Sequence, residues 1–279
     1  MTEESAARES FAIPFPDRRA AGRLLAERLG SAAKLNDQAE RTMVLGLPRG
    51  GVAVAKEVAT SLRLPVDVIV TRKIGYPPQP ELGVGAIAEM PGTAAAGDPV
   101  YDSGLLDRLS LTPDDLAEVV AAENAELARR IRVYRAGKPL PPVAGWSVIV
   151  VDDGLATGVT ARAALRSLRA GQAARLVLAV PVAPAHALSW LRQEADQVII
   201  LAAPRTFSSV GEWYTAFGQL SDADVLAMLG DPERPSRPLP VADPSQAAFA
   251  RRMRRRRSAA RSSSFSPPHV PYFSGRETA

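Results

Sequence analysis

Short apolar runs alternate with stretches of helical spacing through the middle of the chain. Thr42–Leu47, Val66–Val70, Val148–Val151, Arg175–Val180 and Gln197–Leu201 are brief and rich in β-branched or aliphatic residues, which predicts buried strands. Val52–Leu62, Ala161–Ala170 and Pro184–Glu194 read as the helices between them. Arg18–Leu29 has helical spacing behind Pro14 and Pro16, with Asp17 as N-cap, and Asp222–Leu229 reads as a short closing helix. Thr112-Pro113-Asp114-Asp115 places Pro and acids where a helix starts, and that helix is expected to run to about Arg135. Ile74–Tyr101 is rich in Gly and Pro, with alternation over Leu82–Glu89, and reads as a functional flap or short hairpin. Strands alternating with helices predict an α/β fold, a parallel sheet with helices on both faces.

Chemistry concentrates at three strand ends. After Val148–Val151 come Asp152 and Asp153, then Gly154-Leu155-Ala156-Thr157-Gly158-Val159-Thr160, where a helix opens. Ligands of an open parallel sheet bind at the carboxyl ends of its strands. A loop of small residues entering a helix offers free N–H groups and a positive dipole end to phosphate. Two aspartates would repel that phosphate. They suit sugar hydroxyls, or a metal that offsets the phosphate charge. An anion and a polyol at one place describe a ribose phosphate. The first strand ends in Pro48-Arg49-Gly50-Gly51, in which paired glycines allow close approach and Arg49 offers a planar fork to phosphate. The strand Val66–Val70 ends in Thr71-Arg72-Lys73, a basic pair that packing explains poorly.

The string Asp152–Thr160 resembles the signature by which type I phosphoribosyltransferases bind 5-phosphoribosyl-1-pyrophosphate (PRPP): apolar strand, two acids, two variable residues, a small or acidic residue, then Thr-Gly-x-Thr. The resemblance covers roughly residues 40–205. It implies the type I fold with a small acceptor hood, built from residues 1–35, 74–101 and 204–219. It also implies Mg²⁺-dependent transfer of 5-phosphoribosyl to a nucleobase-like nitrogen heterocycle, with pyrophosphate leaving. Arg49, Gly50, Gly51, Arg72 and Lys73 would meet pyrophosphate. Asp152 and Asp153 would hold the ribose hydroxyls. Ala156, Thr157, Gly158, Val159 and Thr160 would hold the 5′-phosphate. Arg49, Lys73, Asp152 and Asp153 form the expected catalytic set. Mg²⁺ would arrive mainly on PRPP, with Asp152 or Asp153 reaching it through water. A homodimer is compatible with the family.

The acceptor is less defined. Members acting on 6-oxopurines carry Asp where this chain has Ala156, which cannot shuttle a proton. Glu81 or Glu89 in the flap is either a general acid–base candidate or an exposed loop carboxylate. Trp213 and Tyr214, with Phe217, form either a packing cluster or a face on which an acceptor stacks. Glu89, Trp213 and Tyr214 are the acceptor-binding candidates.

Composition adjusts this picture at the margins. The chain has no cysteine, which excludes disulfides and thiolate metal sites, and its two histidines, His186 and His269, lie apart. No apolar run is long enough to span a bilayer and no signal pattern opens the chain, so a cytoplasmic setting without membrane partners is expected. The chain carries 34 basic and 30 acidic residues. Ten arginines and four acids fall in 231–279, a net of +6, which leaves 24 against 26 and −2 for residues 1–230. The expected organisation is one folded domain over 1–230 and a disordered Pro/Ser/Arg-rich tail over 231–279. That tail is the sole pointer to nucleic acid, and to the alternative function, a PRPP-sensing regulator that binds nucleic acid or a protein without turnover.

Overall fold

The computed structural model describes residues 13–32 and 41–230. In chain order the elements are α1 (Arg18–Ala32), β1 (Thr42–Gly46), α2 (Gly50–Leu62), β2 (Val66–Val68), β3 (Thr71–Tyr76), β4 (Gln79–Ala88) and β5 (Val100–Tyr101). They continue with α3 (Ser103–Leu109), α4 (Ala117–Arg135), β6 (Ser147–Val151), α5 (Val159–Ala170), β7 (Arg175–Val182), α6 (Leu188–Glu194), β8 (Gln197–Ala202) and α7 (Asp222–Leu229). Short 3₁₀ turns at Asp114–Leu116 and Ala185–Ala187 lead into α4 and α6.

The principal sheet is parallel throughout, in the order β2-β1-β6-β7-β8. Strands buried on both faces must be apolar at successive positions, as β1 and β6 are. Alternate residues sort to the two layers. Met43, Leu45, Val148 and Val150 meet Ala161, Ala164, Leu165 and Leu168 of α5 on one face. Val44, Ile149 and Val151 meet Leu25 and Leu29 of α1 and Val54 and Val58 of α2 on the other. The Asp17 carboxylate accepts from Ala20 N at 2.7 Å, so the expected cap of α1 is formed.

Between β2 and β6 the chain builds a second, antiparallel sheet, β3-β4-β5. The expected strand over Val66–Val70 stops at Val68, because Val70 N turns to the Glu89 carboxylate at 2.7 Å. Thr71-Arg72-Lys73 therefore opens β3 instead of ending a strand of the main sheet. One face of this sheet packs on α5 through Ala86, Ala88, Val100, Val159 and Ala163. The other carries Ile74, Val84 and Ile87 against Leu127 and Ile131 of α4, Leu106 of α3 and Val225 of α7. Alongside the flap expected over 74–101, α3 and α4 also pack on this sheet. The segment 231–279, read above as a disordered tail, lies outside the described residues, as do 1–12 and 33–40 of the expected hood and its flank. Among the described residues no helix is long and apolar enough to cross a membrane.

Candidate active site

The strand order reverses between β1 and β6, which makes their shared carboxyl edge the crevice where a doubly wound sheet binds ligands. Gly46 lies opposite Val151 in the register, and Leu47 N donates to Val151 O at 2.8 Å. The loop Pro48–Gly51 and the acids Asp152–Asp153 therefore leave the sheet side by side. A methyl group on Gly50 would overlap the Asp153 carboxylate, and one on Gly51 would come within 2.7 Å of Asp152 Cα. Only glycine lets these backbones meet. Arg49 is exposed beside them, and among the described residues it has no carboxylate partner.

After Asp153, Leu155 N bonds to Val182 O at 2.9 Å and anchors the start of the phosphate-type loop on β7. Ala156 and Thr157 are exposed, Thr160 is half-buried, and Gly158 caps α5 at φ +70°. The Val159 side chain is buried in the hood interface, so it can contribute only its backbone. A side chain at Gly158 would come within 2.5 Å of Trp190, whose ring lies 5.9 Å from the Arg162 guanidinium carbon. The loop is thus an exposed rim of amides and hydroxyls resting on a packed floor.

Arg72 and Lys73 separate. Neighbours on a strand point to opposite faces. Arg72 sits opposite Ile87, on the α4 side, where its Nε meets Glu123 at 2.6 Å. It leaves the PRPP set for that reason. Lys73 sits opposite Ala86, on the α5 side, its stem packed on Gly83 next to Val159. Its Nζ donates to Glu81 O at 2.7 Å, with the Glu81 carboxylate 3.6 Å away.

Glu89 also leaves the site. It is 0% exposed and lies between Val70 N and the Arg135 guanidinium, which donates in addition to Val68 O at 2.7 Å. Neither the acceptor role nor the exposed loop carboxylate describes it: Glu89 and Arg135 tie both sheets to the end of α4. Burial raises the Glu89 pKa above the usual carboxylate range against the pull of Arg135.

The aromatic segment forms a packing cluster. Phe15 pairs with Tyr214 across a parallel bridge, and Phe15 N donates to Trp213 O at 2.8 Å. The Tyr214 ring lies between Phe15, at 5.6 Å, and Phe217, at 5.0 Å, so it presents no free face to an acceptor. Its hydroxyl donates to the carbonyl of Asp153 instead. Trp213 lies parallel to Phe207 at 6.4 Å, and its Nε1 is buried without an acceptor.

Sequence reasoning missed Arg18. From the first turn of α1 its Nε meets Asp153 Oδ2 at 2.7 Å, its Nη1 donates to Gly218 O at 2.8 Å, and its guanidinium stacks 3.8 Å over Phe217. No local signal marks it, since 135 positions separate it from Asp153. Burial, with the charge of Asp153 next, raises the Asp152 pKa well above the usual range. Burial also raises Asp153, and Arg18 opposes that shift.

A family model described as the phosphoribosyl transferase domain matches residues 19–207. The chain belongs to this family. That span includes all three strand-end segments, and the α/β architecture with a parallel main sheet is the one expected for it. A Mycobacterium tuberculosis protein, provisionally named a phosphoribosyl transferase, is 44% identical over 215 residues, in strain H37Rv and in strain CDC 1551 alike. The match takes in 77% of this chain and 46% of that protein, so the chain spans about half the length of these relatives. The crystal structure of TT1426 from Thermus thermophilus is 39% identical, with a TM-score of 0.62 over 77% of this chain and 97% of that one.

Proposed function

We propose that this phosphoribosyl transferase domain is a Mg²⁺-dependent enzyme that moves 5-phosphoribosyl from PRPP to a ring nitrogen of a nucleobase-like heterocycle. The observation that carries the reading is the meeting, at one switch point, of the Arg49-Gly50-Gly51 loop, the Asp152–Asp153 pair and the Ala156–Thr160 loop. The acceptor nitrogen attacks the anomeric carbon. The bond from that carbon to the pyrophosphate oxygen breaks, and its electron pair leaves with pyrophosphate. Positive charge grows on the ribose, so catalysis is electrostatic and positional.

The amides of Ala156–Thr160 and the Thr157 and Thr160 hydroxyls hold the 5′-phosphate. Asp152 and Asp153 take the ribose hydroxyls and face the developing cation. Arg49 and the amides of Gly50 and Gly51 hold the pyrophosphate, joined by Lys73 once it leaves Glu81. Hard carboxylate oxygens at one loop suit Mg²⁺, with Asp152 the better placed because Asp153 is paired with Arg18. When bound there, Mg²⁺ would supply positive charge against that of pyrophosphate.

The test mixes the protein with PRPP, Mg²⁺ and a panel of nitrogen heterocycles and measures pyrophosphate. Release that depends on one heterocycle is the expected result. Tight PRPP binding with no release from any acceptor would favour the regulatory alternative, whose sequence support lies in 231–279.

A further inference from the structure

We propose that Arg18 is a positioning residue for ribose recognition, a role that rests on the PRPP reading above. Four residues form a closed circuit. Arg18 holds the Asp153 side chain, Arg18 stacks on Phe217, Phe217 stacks on Tyr214, and Tyr214 holds the Asp153 backbone. Asp153 is thereby fixed at its carboxylate and at its carbonyl by groups from opposite ends of the domain.

The guanidinium has little freedom of its own. Its side chain is 11% exposed, and the Gly218 carbonyl and the Phe217 ring hold it while Nε meets the carboxylate. An arginine fork fixed in this way defines direction as well as charge. It engages Asp153 Oδ2, so Oδ1 is the oxygen that a ribose hydroxyl meets. Without Arg18 the Asp153 carboxylate would lose the one cation that pairs with it among the described residues. Binding of a vicinal diol needs both acids aimed at once, and an oxygen misplaced by an ångström loses the bond. Arg18 itself makes no contact with the reacting atoms in this role.

The test is a double-mutant cycle in the full chain, with Arg18→Met, Arg18→Lys, Asp153→Asn and Arg18→Met/Asp153→Asn. Calorimetry reads the Kd of two probes, PRPP and inorganic pyrophosphate, and only PRPP carries the ribose. Arg18→Met should raise the PRPP Kd about tenfold, the scale of one charge-assisted hydrogen bond, and move the pyrophosphate Kd less than about twofold. Arg18→Lys should recover part of the loss. In the Asp153→Asn background the Arg18→Met change should add less than about twofold, because its target is already gone.

Equal losses for both probes would make Arg18 a phosphate ligand or a general support of the fold, and would overturn the role. So would additive losses in the cycle, or an unchanged PRPP Kd in either Arg18 variant. Wild-type protein that binds no PRPP would overturn the transferase reading itself and this role with it. Wild-type binding with an indifferent Arg18 overturns this role alone. If Arg18→Met does not fold, Arg18→Lys in the two Asp153 backgrounds completes the same cycle.

Discussion

Gly50 backs directly onto the carboxylate of Asp153, leaving no room for a methyl group between the pyrophosphate-type loop and the acid pair. Two effects oppose each other in Gly50→Ala. Alanine gains about 1 kcal/mol of helix propensity over glycine at most, and less in the first turn. Overpacking against a fixed carboxylate costs about 1–3 kcal/mol. The clash wins, because Arg18 and Tyr214 keep Asp153 from retreating. Urea denaturation should show a net loss of stability, and PRPP affinity should fall about tenfold or more, each tenfold corresponding to 1.4 kcal/mol.

Asp152 sits in a setting that costs stability when its carboxyl is charged. Its pKa is raised by burial and then by the charge of Asp153. A carboxyl raised in the folded state favours folding while it is protonated. That contribution is complete below the unfolded value of about 3.9 and is lost as pH rises through the folded value. Asp152→Asn should remove this dependence. It should stabilise the ligand-free protein near neutral pH by about 1 kcal/mol and lower pyrophosphate release about 100-fold. Thermal scans across pH, paired with the release assay, check both halves.

Arg135→Met leaves Glu89 0% exposed and without its cation. Breaking a buried pair from one side costs about 3–5 kcal/mol. Glu89→Gln added to Arg135→Met should recover much of that in denaturant titrations. Turnover per folded molecule should stay close to wild type, which separates a structural Glu89 from one that binds the acceptor.

Lys73→Ala and Arg72→Ala should diverge, because the two residues face different elements. Lys73→Ala should lower kcat about tenfold or more, the scale of one electrostatic contact to a leaving group. Arg72→Ala, which loses a part-buried pair with Glu123, should cost about 1 kcal/mol of stability and leave kcat within about twofold. Steady-state kinetics at saturating PRPP distinguish them.

Asp153→Asn should lower kcat/KM about 100-fold. Trp213→Phe should change it by less than about threefold, since Trp213 Nε1 has no acceptor to lose. Equal effects would contradict the roles given to the two residues.

The motif-bearing parts of this site were legible because they are local. An apolar strand, its terminal acids and the small-residue loop are contiguous from Val148 to Thr160, and hydrophobic period fixes their element type. The pairing of β1 with β6, which brings Gly50 to Asp153, is non-local, since a parallel α/β pattern leaves the strand order open. What escaped is non-local or depends on facing. Nothing in Thr71-Arg72-Lys73 tells that a new sheet begins there, and so that its two cations part. Glu89 sits in a polar-looking flap, and its burial depends on Arg135 arriving from α4. Arg18 reads as one more charge at a helix start until Phe217 and Gly218 fold back over it.

The bridge between Phe15 and Tyr214 bears on synthesis of the chain. The five main strands have all emerged from the ribosome once Ala202 is clear, so the parallel sheet can assemble then. Tyr214, Phe217 and Gly218 follow later. A nascent chain halted between these points would own a complete sheet and a complete signature loop while Arg18 and Asp153 still lacked their supports. Arg18 and Asp153 therefore gain these supports only after every strand of the sheet around them has been made.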